Sequence, residues 1–221
     1  MGKASILIML FYLLETSGKA VLGEYGVSAE WATFWVYGVM FVMSLILHGK
    51  RFMEDWQHFC HYTRGLWNFL LKLVAWSALV GVVTTGLYFA FLTVFGVNIL
   101  PAHLIGLGNA PANLPLGITW LLLLLLAPVV EEFVFRDSLV GVVNWTHKMK
   151  LVLATILSIL AFTMLHVVHL AEVWFYLPLS IAVTALYINH ERNVIASILF
   201  QSFYSVATYL VLLFLPSLGS I

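Results

Sequence analysis

Seven apolar runs, at residues 4–23, 31–48, 67–97, 117–145, 150–170, 173–189 and 194–215, organise the chain, with short polar breaks between them. A helix rises 1.5 Å per residue, so about 20 apolar residues cross the roughly 30 Å hydrocarbon layer of a bilayer. Backbone N–H and C=O groups must pair internally there, and a helix does this within one segment. The pattern therefore predicts an all-α fold, a polytopic transmembrane helical bundle of about seven spans, with residues 1–221 forming a single integral membrane domain. The first run is the weakest, because Glu15 and Lys19 interrupt it. Their i,i+4 spacing lets them neutralise each other near a helix end. Lys3 ahead of an apolar run resembles a signal peptide, but no small-x-small site follows cleanly, so the segment is expected to remain as a span. The third run is long enough to tilt, or to break near Gly81 or Gly86.

The polar breaks predict an orientation. Lys50, Arg51 and Arg64 lie between the second and third runs, Lys148 and Lys150 between the fourth and fifth, and Arg192 between the sixth and seventh. The stretch from Asn98 to Leu116 carries no charge. Positive residues favour the cytoplasmic side, which puts the N-terminus inside and the C-terminus outside. The segment KRFMEDWQHFCHYTR, Lys50 to Arg64, interleaves aromatics and charges and is read as lying on the membrane interface.

Composition removes the soluble alternative. Apolar residues make up 62% of the chain and charged residues 9%, with mean hydropathy +1.02, whereas a soluble domain carries about 25% charged residues. The membrane lipid is the expected surrounding. A net charge of zero and a pI near 7.1 argue against nucleic acid as a partner. Cys60 is the single cysteine, so no disulfide, thiolate cluster or redox pair is available. His58 and His61 beside it are read as a solvated interface and not as a metal site, and Lys72 as a side chain that snorkels to the surface.

Two groups of ionisable residues lie where hydrocarbon is expected, which makes each a functional candidate. Glu131, Glu132 and Arg136 follow at least ten apolar residues, and apolar residues resume after Asp137. Two unpaired carboxylates side by side would be prohibitive, but Arg136 stands four residues from Glu132 and can pair with it. Glu131, rotated by about 100°, is left free to face elsewhere. The second group is His166 and His169 in the next run. Glu131 is 17 residues before Lys148 and His166 is 18 residues after it. In an antiparallel hairpin turning near Lys148, equal distances mean equal depth, so carboxylate and imidazole should face each other. Such a pair can bind and deprotonate a water. His169, about one turn further along, is expected at the edge of the site or donating to a carbonyl. Other membrane chemistries lack their motifs: there is no HExxH, no Gly-x-Ser-x-Gly and no Gly-x-Gly-Asp. Paired helix breaks of the transporter kind are also missing.

Glu131-Glu132-x-x-x-Arg136 and Phe162-x-x-x-His166 resemble the first two motifs of the CPBP family, the type II CAAX prenyl endopeptidases and the related bacteriocin-processing or immunity (Abi) membrane proteins. The resemblance runs from about Leu121 to Leu213, within a core of about residues 117–215. It implies a metal-independent endopeptidase without cofactor, acting on a membrane-associated peptide or lipidated protein substrate. Glu131 and His166 would activate water, while Glu132 and Arg136 hold the site. The short chain resembles the bacterial members more, which implies a bacterial plasma membrane and leader peptides, pheromones or bacteriocins as substrates. The family's third motif, a His followed four residues later by Asn or Asp, is thought to stabilise the oxyanion. Here Gln201 and Ser205 stand at those positions. Either a proteolytic enzyme or a non-catalytic scaffold, acting in bacteriocin immunity or in regulating a membrane partner, fits this departure. Counted from its turn, Gln201 lies about 12 Å short of His166 in depth, so tilt must close the gap, and Ser205 should come closer. The alternative is a polar stripe of Gln201, Ser202 and Ser205 that only joins helices.

Overall fold

A computed structural model of the protein describes residues 2–62, 66–96 and 114–214. The apolar runs are helices: α1 (Gly2–Glu24), α2 (Ala29–Tyr62), α3 (Leu66–Phe95), α4 (Leu116–Gly141), α5 (Lys148–His166), α6 (Val173–Asn189) and α7 (Val194–Phe214). Among the described residues six helical segments are long and apolar enough to cross a membrane, the sixth being Leu170–Asn189, α6 with the short turn ahead of it, and α7 adds a shorter apolar stretch, Val194–Leu210. The protein is a polytopic all-helical membrane bundle.

Three boundaries differ from the sequence expectation. The second run and the amphiphilic segment after it are one helix, the 34-residue α2. At 1.5 Å per residue it is about 50 Å long, so its polar end projects past any hydrocarbon layer. The i,i+4 contacts Lys50–Glu54 (3.9 Å) and Arg51–Asp55 (3.3 Å) run along this end. Second, α3 passes through Gly81 and Gly86 without a break. Third, α5 ends at His166, because Val167 takes an extended conformation (φ −106°, ψ 137°). The uncharged stretch after Asn98 falls largely outside the described residues, as do Arg64 and the side chain of His61.

Helix α4 is the axis of the bundle. Val129, Val130, Phe133, Val134 and Phe135 are all buried, so its second half is enclosed on every side, while Leu121, Leu124 and Leu125 in its first half are exposed. Phe135 meets Phe11 of α1 and Phe162 of α5 edge-on, at centroid distances of 5.5 and 5.8 Å. Between helices in lipid the hydrophobic effect is weak, and short polar bonds hold helices together instead. Ser158 of α5 donates to the Phe135 carbonyl (2.6 Å), Ser202 of α7 to the Leu124 carbonyl (2.8 Å), and Ser180 of α6 to the Ile159 carbonyl (3.0 Å). Phe135 and Leu124 both lie in π-helical stretches of α4, Glu132–Gly141 and Leu122–Leu126. Widened turns of that kind disturb the regular ladder and recur at functional sites.

A second set of polar contacts fixes the charged end of the bundle. His48 of α2 donates to Asp137 of α4 at 2.8 Å. Asp55 accepts the Val194 N–H at 2.9 Å, and Asn193 caps α7 through the Ile195 N–H at 3.0 Å. Glu191 and Arg192 sit at φ 56° and 62°, a left-handed turn uncommon for such residues. The turn aims Arg192 at the carbonyl of Val143 and over the Trp145 ring, 3.9 Å from its centroid.

Candidate active site

Pro128 stands one turn before the acidic pair, within a short α-helical stretch between the two π-helical segments. From there the two carboxylates diverge. Glu132 and Arg136 are wholly buried, with Nη1 to Oε1 at 3.0 Å. The pair is close but poorly aligned, and neither Glu132 oxygen receives a well-directed hydrogen bond. Arg136 also lies over Phe162 of α5, 4.0 Å from the ring centroid, and reaches the Ser180 carbonyl of α6 at 3.5 Å. One cation thus joins three helices.

Glu131, 3% exposed, faces the other way and is met from three helices. Tyr37 of α2 donates its hydroxyl proton to Oε1 at 2.7 Å. Gln201 of α7 donates its amide N–H to Oε2. His166 at the end of α5 brings Nε2 to 3.8 Å from the same Oε2. That separation is too long for a direct hydrogen bond. The imidazole is oriented from behind, since Nδ1 lies 2.9 Å from the Phe162 carbonyl. A carbonyl only accepts, so Nδ1 carries the proton and Nε2 turns its lone pair towards Glu131. Phe162 (4.5 Å) and Tyr176 (5.4 Å) flank the ring.

The structure thus brings Glu131, His166 and Gln201 together, with Glu132 and Arg136 directly behind them. Two expectations are corrected. His169 is exposed on the segment after α5, because the helix stops three residues before it. A buried carboxylate, Glu172, secures that segment by accepting the Val168 N–H at 2.8 Å. Ser205 is half-buried, and Gln201 is the one of the two that reaches Glu131. The depth gap between Gln201 and His166 is bridged by Glu131, whose carboxylate lies between them. Ser202, the remaining member of the polar stripe, joins α7 to α4.

Tyr37 is the residue that sequence reasoning missed. A tyrosine in an apolar run carries no signal of its own, and the contact joins residues 94 apart. Among the described residues, no group of three or more His, Cys, Asp or Glu side chains is arranged to hold a metal ion.

Comparison with known proteins gives two matches. Residues 113–207 match the family model described as type II CAAX prenyl endopeptidase Rce1-like. UPF0177 protein YbdI of Lactococcus lactis subsp. lactis (strain IL1403) is 35% identical over 79 residues, which is 36% of this chain and 41% of the relative. The chain thus spans well under half the length of that relative. No solved structure matches. Every group around Glu131 except Tyr37 falls inside the matched residues, so the part of the chain that carries the site is similar to the Rce1-like type II CAAX prenyl endopeptidases, a family of proteases.

Proposed function

We propose that the protein is an intramembrane endopeptidase of the glutamate type, hydrolysing a peptide bond in a membrane-associated or lipidated substrate. The observation that carries this reading is the opposition of two acceptors, Glu131 Oε2 and His166 Nε2, at 3.8 Å in a buried site. A water set between them donates one proton to each, which points its oxygen lone pairs outward. In the reaction Glu131 takes a proton from that water as its oxygen bonds to the scissile carbonyl carbon. The same carboxyl then gives the proton to the leaving amide nitrogen as the C–N bond breaks. Positioned acid–base transfer of this kind contributes about 10²- to 10⁴-fold. Glu132 and Arg136 hold α4, α5 and α6 at a fixed spacing around it. No metal is required by this scheme, since the carboxylate supplies the base.

The substrate proposed is a leader peptide, peptide pheromone or bacteriocin presented at a bacterial plasma membrane, with the N-terminus of the chain cytoplasmic. The bacterial source of the 35%-identical relative and the positive residues in alternate breaks support this. The test is cleavage, by the full chain in liposomes, of a quenched farnesylated CAAX peptide and of membrane-inserted leader peptides, with and without Glu131→Gln.

A second reading is favoured by one observation. Gln201 directs its N–H at Glu131 and not outward, so it is not presented to an oxyanion. A scaffold that binds a bacteriocin or a membrane partner would tolerate this. Protection of a host cell that is unaffected by Glu131→Ala would favour it.

A further inference from the structure

The matched residues 113–207 do not contain the whole site, because one hydrogen bond to Glu131 comes from α2. We infer that Tyr37 is the positioning residue of the proposed general base: its hydroxyl fixes Oε1 of Glu131, so that Oε2 alone is offered to His166 and a water. The inference rests on the proteolytic reading above, but its physical content is the Tyr37–Glu131 contact itself.

The two oxygens of a carboxylate are chemically equivalent, and rotation about the last side-chain bond exchanges them. That torsion is broad and nearly two-fold in energy, so packing alone holds it weakly. A site in which only one oxygen faces the imidazole therefore needs something to distinguish the two. The Tyr37 hydroxyl at 2.7 Å from Oε1 does so, and Gln201 on Oε2 adds a second constraint. Together the two donors replace part of the hydration that the carboxylate loses in the bundle, where charge-assisted hydrogen bonds are at their strongest.

Tyr37 is itself held. It is 7% exposed, and its ring meets Phe11 of α1 edge-on at 6.3 Å and 83°. Lys19 of α1 lies 5.9 Å from the ring centroid on the opposite helix, and Glu15 contacts Lys19 at 2.5 Å. The Glu15–Lys19 pair inside α1 thus borders the ring that supports the base. A tyrosine needed only for packing would be replaced by phenylalanine at no cost to Glu131, and this difference makes the role measurable.

The test uses the full chain in detergent and needs no substrate. Dicyclohexylcarbodiimide, an apolar reagent, adds only to a protonated carboxyl, and mass spectrometry of proteolytic fragments reads the adduct at Glu131. Tyr37→Phe removes the hydroxyl and keeps the ring. At a pH on the falling limb of the wild-type labelling rate, loss of one charge-assisted hydrogen bond should raise the rate at Glu131 about tenfold, with the melting temperature lowered by only about 3–5 °C. Glu131→Gln should abolish that adduct in either background. A 3,5-difluorotyrosine at position 37, a stronger donor of nearly the same shape, should slow labelling below wild type. Equal rates in wild type, Tyr37→Phe and the difluorotyrosine protein would overturn the inference. Where the farnesylated probe is cleaved, Tyr37→Phe should lower kcat and leave KM in place. Where it is not cleaved, the proteolytic reading fails for that probe while the labelling rates still decide the Tyr37 contact.

Discussion

Replacing Arg136 by methionine isolates what the buried ion pair does for the bundle. The substitution keeps an unbranched apolar stem of similar reach but leaves Glu132 without its cation, both side chains being fully buried in the wild type. Removing one partner of a buried pair generally costs about 3–5 kcal/mol, because the remaining charge is uncompensated. Glu132 can escape that cost by taking up a proton, which sets a bound. Protonating an ordinary glutamate at pH 7 costs about 4 kcal/mol at 1.36 kcal/mol per pH unit. The contact with Phe162 at 4.0 Å adds about 1–2 kcal/mol when lost, part of which the methionine stem recovers by packing. Arg136→Met should therefore destabilise the protein by about 4 kcal/mol, a fall in melting temperature of about 10 °C for a chain of this size. Cys60 is exposed and would react at once with a thiol dye, so the intrinsic fluorescence of the 8 tryptophans is the better signal. The double variant Glu132→Gln/Arg136→Met, which removes both charges of the pair, should recover most of the loss. A single variant that melts with the wild type, or a double variant less stable than the single, would refute the reasoning.

Two further substitutions probe neighbouring features. A methyl group at Gly141 would lie 2.7 Å from the Tyr187 hydroxyl and 2.8 Å from Asp137 Oδ1, so Gly141→Ala should cost about 1–3 kcal/mol by overpacking. Adding Tyr187→Phe should return part of it in the same thermal melts, since it removes the nearer of the two atoms. Gln201→His with Ser205→Asn places the family's third-motif side chains in α7, and initial rates on the farnesylated probe should rise at least tenfold, given the 100- to 1,000-fold value of an oxyanion donor. Unchanged rates would remove any oxyanion role from these two positions.

Much of the bundle was legible because hydrocarbon imposes a simple rule on composition and length. The run at 173–189 coincides with α6, Val173–Asn189, and the acidic pair of α4 stood out because charges are costly at that depth. Where other physics took over, the sequence was a weaker guide. The end of α2 was read as a separate interfacial segment, although its Lys50–Glu54 and Arg51–Asp55 spacings are those of a continuing helix. The stop at His166 has neither Gly nor Pro to announce it, since Val167 turns extended without either, so His169 was placed one turn too far into a helix that had ended. Gln201 drew attention through its place in a resembling motif. Tyr37 could not, because its contact with Glu131 exists only once α2 and α4 are packed side by side. The site residues on α4, α5 and α7 were thus accessible from local pattern, and the donor on α2 depended on tertiary structure.

The most direct test of the account is single-turnover cleavage by the purified full chain in liposomes, read by mass spectrometry, comparing wild type with Glu131→Gln. The near-isosteric amide keeps the volume at a site 3% exposed, so both proteins should insert and melt alike. The account expects wild-type cleavage that persists in a chelator and falls at least a thousandfold in Glu131→Gln. Cleavage at an undiminished rate by Glu131→Gln, or wild-type activity that is lost in chelator and restored by zinc, would contradict it.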